Sequence, residues 1–236
     1  MTDTAQLGLP LLQAAQAQKH VTMNEALSRL DGLVQLVIQS RTLAVPPVVI
    51  GDGLVWSVPV GAANEWSGQD GALAVGRNGG WDFVSPKRGW RALVLDEGVQ
   101  AIHDGTGWRG GLLTLSPNNA GMIAKVAEID HPVTAGSVST TSNLIPPNAI
   151  VLGATARVLT TITGTLTSWQ LGNPGAVGRY GSGLGLAPNA FARGVLGQPT
   201  TFYSATPMQL DATGGSFAGG SVRIAVHYFE IGLPDA

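Results

Sequence analysis

Gly220–Ile231, GSVRIAVHYFEI, decides the fold: Val222, Ile224, Val226 and Tyr228 fall on one face of an extended segment, and Arg223, Ala225, His227 and Phe229 on the other. Strict alternation is the period of a half-buried strand. NAIVLGATARVLTTITG, Asn148–Gly164, alternates in the same way. The turn signals TGG, NPG and APN break the surrounding sequence at short intervals. Short strands with no helical period predict a β-sandwich or jelly roll over residues 116–236.

Working towards the N-terminus, SPNNAGMI (Ser116–Ile123) is turn-rich and reads as the link into that domain. Residues 47–115 alternate short apolar runs with Gly-containing turns. Two stretches there look alike, AVGRNGGW (Ala74–Trp81) and AIHDGTGW (Ala101–Trp108). Asn-Gly and Asp-Gly supply the positive backbone angles of tight hairpin turns, so each predicts strand, turn and strand. The segment reads as a small antiparallel domain of repeated hairpins. Trp56, Trp66, Trp81, Trp90 and Trp108 all fall in it. Their burial demand suits a small sheet's core or a subunit interface better than a ligand platform.

Residues 1–46 differ. AQAQKHVTMNEALSRLDGLVQLVIQS, Ala15–Ser40, reads as the one long helix, with Thr22-Met23-Asn24-Glu25 fitting a capping box at its start. Met23, Leu27, Leu30, Val34 and Val37 recur at alternating spacings of four and three, the period of a coiled-coil seam, which Leu33 and Leu36 widen. Such a helix packs either on its own domain or on copies of itself, and this short seam, which contains Gly32, leaves both open. AVPPVV, Ala44–Val49, ends the helical section, because proline lacks the amide donor and restricts its predecessor.

Hydrophobic residues make up 44% of the 236 residues and charged residues 12%, against roughly 25% charged in an ordinary soluble domain. The expected surface is built from small polar residues or covered by neighbouring subunits. A net charge of -2 without a Lys/Arg run gives no footprint for nucleic acid. The longest apolar run falls short of a membrane span, and no export signal is recognisable. With no cysteine, disulfides, thiolate nucleophiles and Cys-ligated metals are excluded.

His20, His103, His131 and His227 show no metal-ligand spacing, and no GxSxG nucleophile turn occurs, so neither a metal site, another cofactor nor a catalytic residue is assigned. GSGLGLAPN (Gly181–Asn189) lacks the Lys-Ser/Thr of a phosphate loop. A glycan-cleaving enzyme needs two facing acids; Asp211 and Glu230 are the pair available, with no spacing that joins them. The Gly-rich stretch Thr167–Tyr203 carries Trp169, Arg179, Tyr180, Asn189, Phe191, Arg193 and Tyr203. Read as a loop, it offers aromatic faces for sugar rings and Arg or Asn for hydroxyls, a polysaccharide site without cleavage. The other reading puts Trp169 and Phe191 in the sandwich core and Arg179 and Arg193 in solvent.

LGLPLLQAAQAQKHVTMNEALSRLDGLVQLVIQSRTLAVPP (Leu7–Pro47) and GWRALVLDEGVQAIHDGTGW (Gly89–Trp108) resemble a domain-of-unknown-function family of alphaproteobacterial phages and gene transfer agents, above all its head-spike fibre proteins. VLGATARVLTTITGTLTSWQLG, in the last section, is similar to C-terminal domains attached to that family. The resemblance implies a structural protein that projects from a virus-like capsid and helps it adhere to host capsular polysaccharide. It implies no catalytic residue and carries over no binding residue. On that reading Met23, Leu27, Leu30, Val34 and Val37 hold a homotrimeric stem, and residues such as TAQLGLPLLQ dock to a spike base or capsid protein. The sandwich would face the cell, without inserting in its membrane. The protein would be made in the cytoplasm and released with the particle. A capsule depolymerase and a purely structural spike or tail component are the alternatives.

Overall fold

The computed structural model describes residues 3–13 and 19–235, so Ala15–Gln18 of the expected helix lie outside the described residues. Strands dominate, with one short α-helix near the N-terminus, and the chain divides into two compact units, Met1–Leu115 and Ser116–Ala236.

The first unit contains α1 (Lys19–Leu33), β1 (Val37–Ile38), β2 (Val55–Ser57), a 3-10 turn (Asn64–Trp66), β3 (Leu73–Arg77), β4 (Gly80–Val84), β5 (Arg91–Val94), β6 (Val99–His103), β7 (Trp108–Gly110) and β8 (Leu112–Leu115). Seven strands form one sheet in the order β4-β3-β2-β1-β5-β6-β7. Both expected hairpins are present: Gly76 pairs with Trp81 and His103 with Trp108. The first turns through Asn78 and Gly79, both left-handed (φ 49° and 73°), which matches strand twist. Between the hairpin pairs, β1 runs parallel to β2 and β5. Trp56, Trp66 and Trp81 pack edge-on or tilted, with ring centroids 5.2–6.4 Å apart, into a small core of their own.

The helix is shorter than its sequence suggests. It includes Thr22 rather than starting there, and the Glu25 carboxylate accepts from Arg77 at 3.1 Å instead of closing a capping box. Its end is set by Gln35, left-handed at φ 53°. That turn drops Leu36 and Ile38 into the sheet core with Val55 and Val94, so burial in a strand wins over another helical turn. Leu33 and Leu36, expected to widen an outward seam, pack in that core instead.

The second unit contains β9 (Gly121–Pro132), β10 (Val138–Ile145), β11 (Ala149–Gly164), β12 (Ser168–Asn173), β13 (Ala176–Leu184), β14 (Phe191–Phe202), β15 (Thr206–Thr213) and β16 (Phe217–Gly232). The first of these pairs with the last, β10 with β15, β11 with β14 and β12 with β13, all antiparallel. A long hairpin wound round itself gives this nesting. The two sheets, β10-β15-β12-β13 and β14-β11-β16-β9, therefore form the jelly roll that the alternation predicts. Trp169, Leu171, Met208 and Leu210 from one sheet share a core with Val151, Ala156, Val158, Val222, Ile224 and Val226 from the other.

Thr167–Tyr203 is not a loop; it supplies β12, β13 and β14. Its glycines allow close strand packing. At Gly194 a Cβ would fall 2.2 Å from the Tyr180 carbonyl oxygen.

Candidate functional site

The two long strands that open the sequence reading create the outward face of the sheet β14-β11-β16-β9. Alternation sends Ala154, Ala156 and Val158 inward and leaves Thr155 and Arg157 outward, while Val222, Ile224 and Val226 likewise leave Arg223, Ala225 and His227. Register then assembles two rows across the sheet. Phe191, Arg157, Arg223 and Asp130 form one, and Arg193, Thr155, Ala225 and Glu128 the other. These residues, Asp130 apart, line a shallow cleft of about 280 Å³. Phe191 stands 61% exposed at its edge.

The charges in the cleft are unequal. Arg223 donates from Nε and Nη2 to the Asp130 carboxylate at 2.6 and 2.7 Å and lies 3.7 Å from Glu128. The hydrogen bonds with Arg223 hold the Asp130 carboxyl below the usual range and raise the guanidinium. Among the described residues Arg157 and Arg193 have no acidic partner. Beside them the Thr155 hydroxyl and the His227 ring make a 3.2 Å hydrogen bond.

The seven residues singled out for a polysaccharide do not meet in one place. Trp169 is fully buried and its Nε1 donates to the Gly185 carbonyl at 2.9 Å. Tyr180 is 2% exposed, and burial pushes its hydroxyl pKa up. Both are core residues, placed inward by strand alternation. Arg179 is exposed with its guanidinium 5.7 Å from the centre of the Phe202 ring. Tyr203, 81% exposed, follows the end of β14. Phe191 begins that strand, and twelve residues at ~3.3 Å each place the two aromatics at opposite ends. Asn189 lies in the β13–β14 turn at φ 69°, near the Phe191 end. Phe191 and Arg193 thus belong to the cleft, joined by Arg157 and Arg223. These two arginines were legible in the alternation, because each is the charged residue on the outward side of a strand with an apolar inward side.

The expected trimer seam divides at the end of the helix. Met23, Leu27 and Leu30 lie on α1, whereas Val34 follows it and Val37 belongs to β1. Met23 and Leu30 are about half exposed, at 50% and 49%, and Leu27 is partly covered. About a quarter-turn round the helix from that stripe lies the side its own unit holds. Asp31, buried, accepts from the backbone N–H of Gln6 and Leu7 at 2.9 and 2.7 Å, and Asn24 exchanges two hydrogen bonds with the Leu12 backbone. His20, Asn24, Ser28 and Asp31 line a cavity of about 530 Å³ against the N-terminal segment and the β3–β4 turn. Leu7–Leu12 therefore rests on its own helix. The apolar stripe thus lies on the flank of the contact with its own unit, where Leu27 is partly covered and Met23 and Leu30 stay half exposed.

Asp211 and Glu230 lie on different sheets with different partners: Gln209 donates to Asp211 and Lys125 to Glu230, each at 2.8 Å. The fold does not bring them together as a pair. Among the described residues no group of three or more His, Cys, Asp or Glu is placed to hold a metal ion, and no helix is long and apolar enough to cross a membrane.

No curated protein matches the chain. Among solved structures, a chain of the Cyanophage Pam1 capsid asymmetric unit is similar at 26% identity, over 45% of this chain and 84% of that one, with a TM-score of 0.33. Residues 23–109 match a family described as "Protein of unknown function (DUF2793)", a match that runs from α1 to β7 and leaves the jelly roll outside it.

Proposed function

We propose that this protein is a structural fibre or spike of a phage-like particle of the gene-transfer-agent kind, homotrimeric, which adsorbs to host surface polysaccharide and does not cleave it. The observation that carries the reading is the half-exposed apolar stripe of α1. A helix held by its own unit along one flank, with Met23 and Leu30 half exposed beside it, leaves apolar surface that further copies can cover, and three-fold packing would extend its burial along one axis. The resemblance of Leu7–Pro47 and Gly89–Trp108 to head-spike proteins supports the particle role and attachment through the N-terminal unit. Phe191, Arg193 and Arg157 on the outer sheet support the glycan contact, with affinity multiplied by linked copies.

The purified chain should have the mass of three copies by light scattering and bind capsulated host cells but not capsule-free ones, with no reducing ends released. A monomer, or equal binding to both cell types, overturns the reading. Leu30→Asp puts a charge on the outward stripe and should lower the mass towards one copy. An equally stable trimer would show that the seam does not support the assembly.

A further inference from the structure

The unequal charges on the outer sheet give the cleft a chemical preference. Arg157 and Arg223 sit directly opposite each other on neighbouring strands, an arrangement in which like charges repel. Arg223 is neutralised by its two-point contact with Asp130 and the nearby Glu128. Among the described residues Arg157 has no such acid, and neither has Arg193, its diagonal neighbour on β14. Diagonal positions on one sheet face are ~7–8 Å apart at the backbone, within reach of one anion for two long side chains. The exposed Phe191, opposite Arg157 in register, completes the row.

Resting on the reading of the jelly roll as a glycan-binding head, we propose that this cleft selects a polysaccharide that carries carboxylate groups. Arg157 and Arg193 take one carboxylate between them, since guanidinium groups match its two oxygens in geometry and charge. Phe191 offers its face to the C–H side of the same sugar ring. Glu128 and Asp130 form an acidic border on the β9 side, which keeps the ligand's charge over the β14–β11 side. A neutral sugar would leave Arg157 and Arg193 without a counter-charge, whereas a uronate supplies one.

The test uses the full chain on immobilised polygalacturonate and on the same polymer after carboxyl reduction, which keeps the backbone and removes the charge, with capsulated cells in parallel. The wild type should be held by polygalacturonate, release as salt is raised, and ignore the reduced polymer. Arg157→Gln with Arg193→Gln should weaken retention at least about tenfold, the loss of one or more charge-assisted hydrogen bonds, with an unchanged circular dichroism spectrum. Equal retention on the reduced polymer, or a double variant that binds like the wild type, overturns the proposal. So does binding to cells without binding to polygalacturonate, which leaves the fibre reading standing. Failure to bind cells at all removes the glycan-binding head and this inference with it.

Discussion

Trp169→Ala is expected to destabilise the C-terminal jelly roll by about 3–5 kcal/mol, the cost of emptying a large aromatic site in a close-packed core. The ring is fully buried among residues of both sheets, and its Nε1 hydrogen bond to Gly185 is lost with it, leaving that carbonyl without its donor. The melting temperature of the unit should fall on the order of 10–20 °C. Calorimetry checks the size of the effect. The five remaining tryptophans all lie before residue 116, so their fluorescence then reports the N-terminal unit alone, which should unfold as before. Had Trp169 been a sugar platform, the same substitution would abolish glycan binding at unchanged stability. An unfolding midpoint within a degree or two of wild type would contradict the core placement.

Asp104→Ala should cost the N-terminal unit about 2–3 kcal/mol at neutral pH, because a buried carboxylate with many donors is removed. Asp104 is 4% exposed and accepts from the Thr106 and Gly107 backbone N–H groups and the Thr106 hydroxyl, each at 2.8 Å, and from Arg109 Nε at 2.6 Å. It closes the turn between β6 and β7. Arg109 is partly exposed and can rehydrate, which keeps the loss below that of a fully buried pair. Burial pushes the Asp104 pKa up, but the hydrogen bonds outweigh it and hold the carboxyl well below the ordinary range. A folded pKa below the unfolded one, about 3.9, gives stability that is fully present above that value and lost as pH falls towards the folded pKa. Wild-type stability should therefore drop between about pH 4 and pH 2 more steeply than that of Asp104→Asn, which keeps a turn acceptor but cannot ionise. Chemical denaturation at several pH values checks this, and parallel curves would exclude Asp104 as the titrating group.

The jelly roll and the hairpins were legible because alternation and turn chemistry are local. GSVRIAVHYFEI displays its two faces without reference to any other strand, and Asn78-Gly79 specifies its turn from two residues. Even the outward arginines of β11 and β16 followed from period two. Helix α1 was harder: the sequence showed an apolar stripe at Met23, Leu27 and Leu30, but two sides of one helix compete for the same sheet. Contacts distant in sequence, from Asp31 to Gln6 and Leu7 and from Asn24 to Leu12, settled which side meets its own unit, a side about a quarter-turn from the apolar stripe. They also cut the helix at Leu33, since burying Leu36 and Ile38 in the sheet needs a strand there.

The polysaccharide residues divide on the same principle. The sequence by itself determined that Thr167–Tyr203 holds aromatics and arginines among glycines, and that β11 and β16 each turn a charged residue away from an apolar side. Only the tertiary structure decided that Trp169 and Tyr180 fill the core, and that Phe191 and Arg193 join Arg157, Arg223 and Glu128 in one cleft. The physical reason is register: a strand's own period fixes which side a residue takes, whereas its neighbours come from hydrogen-bonded pairing with strands tens of residues away.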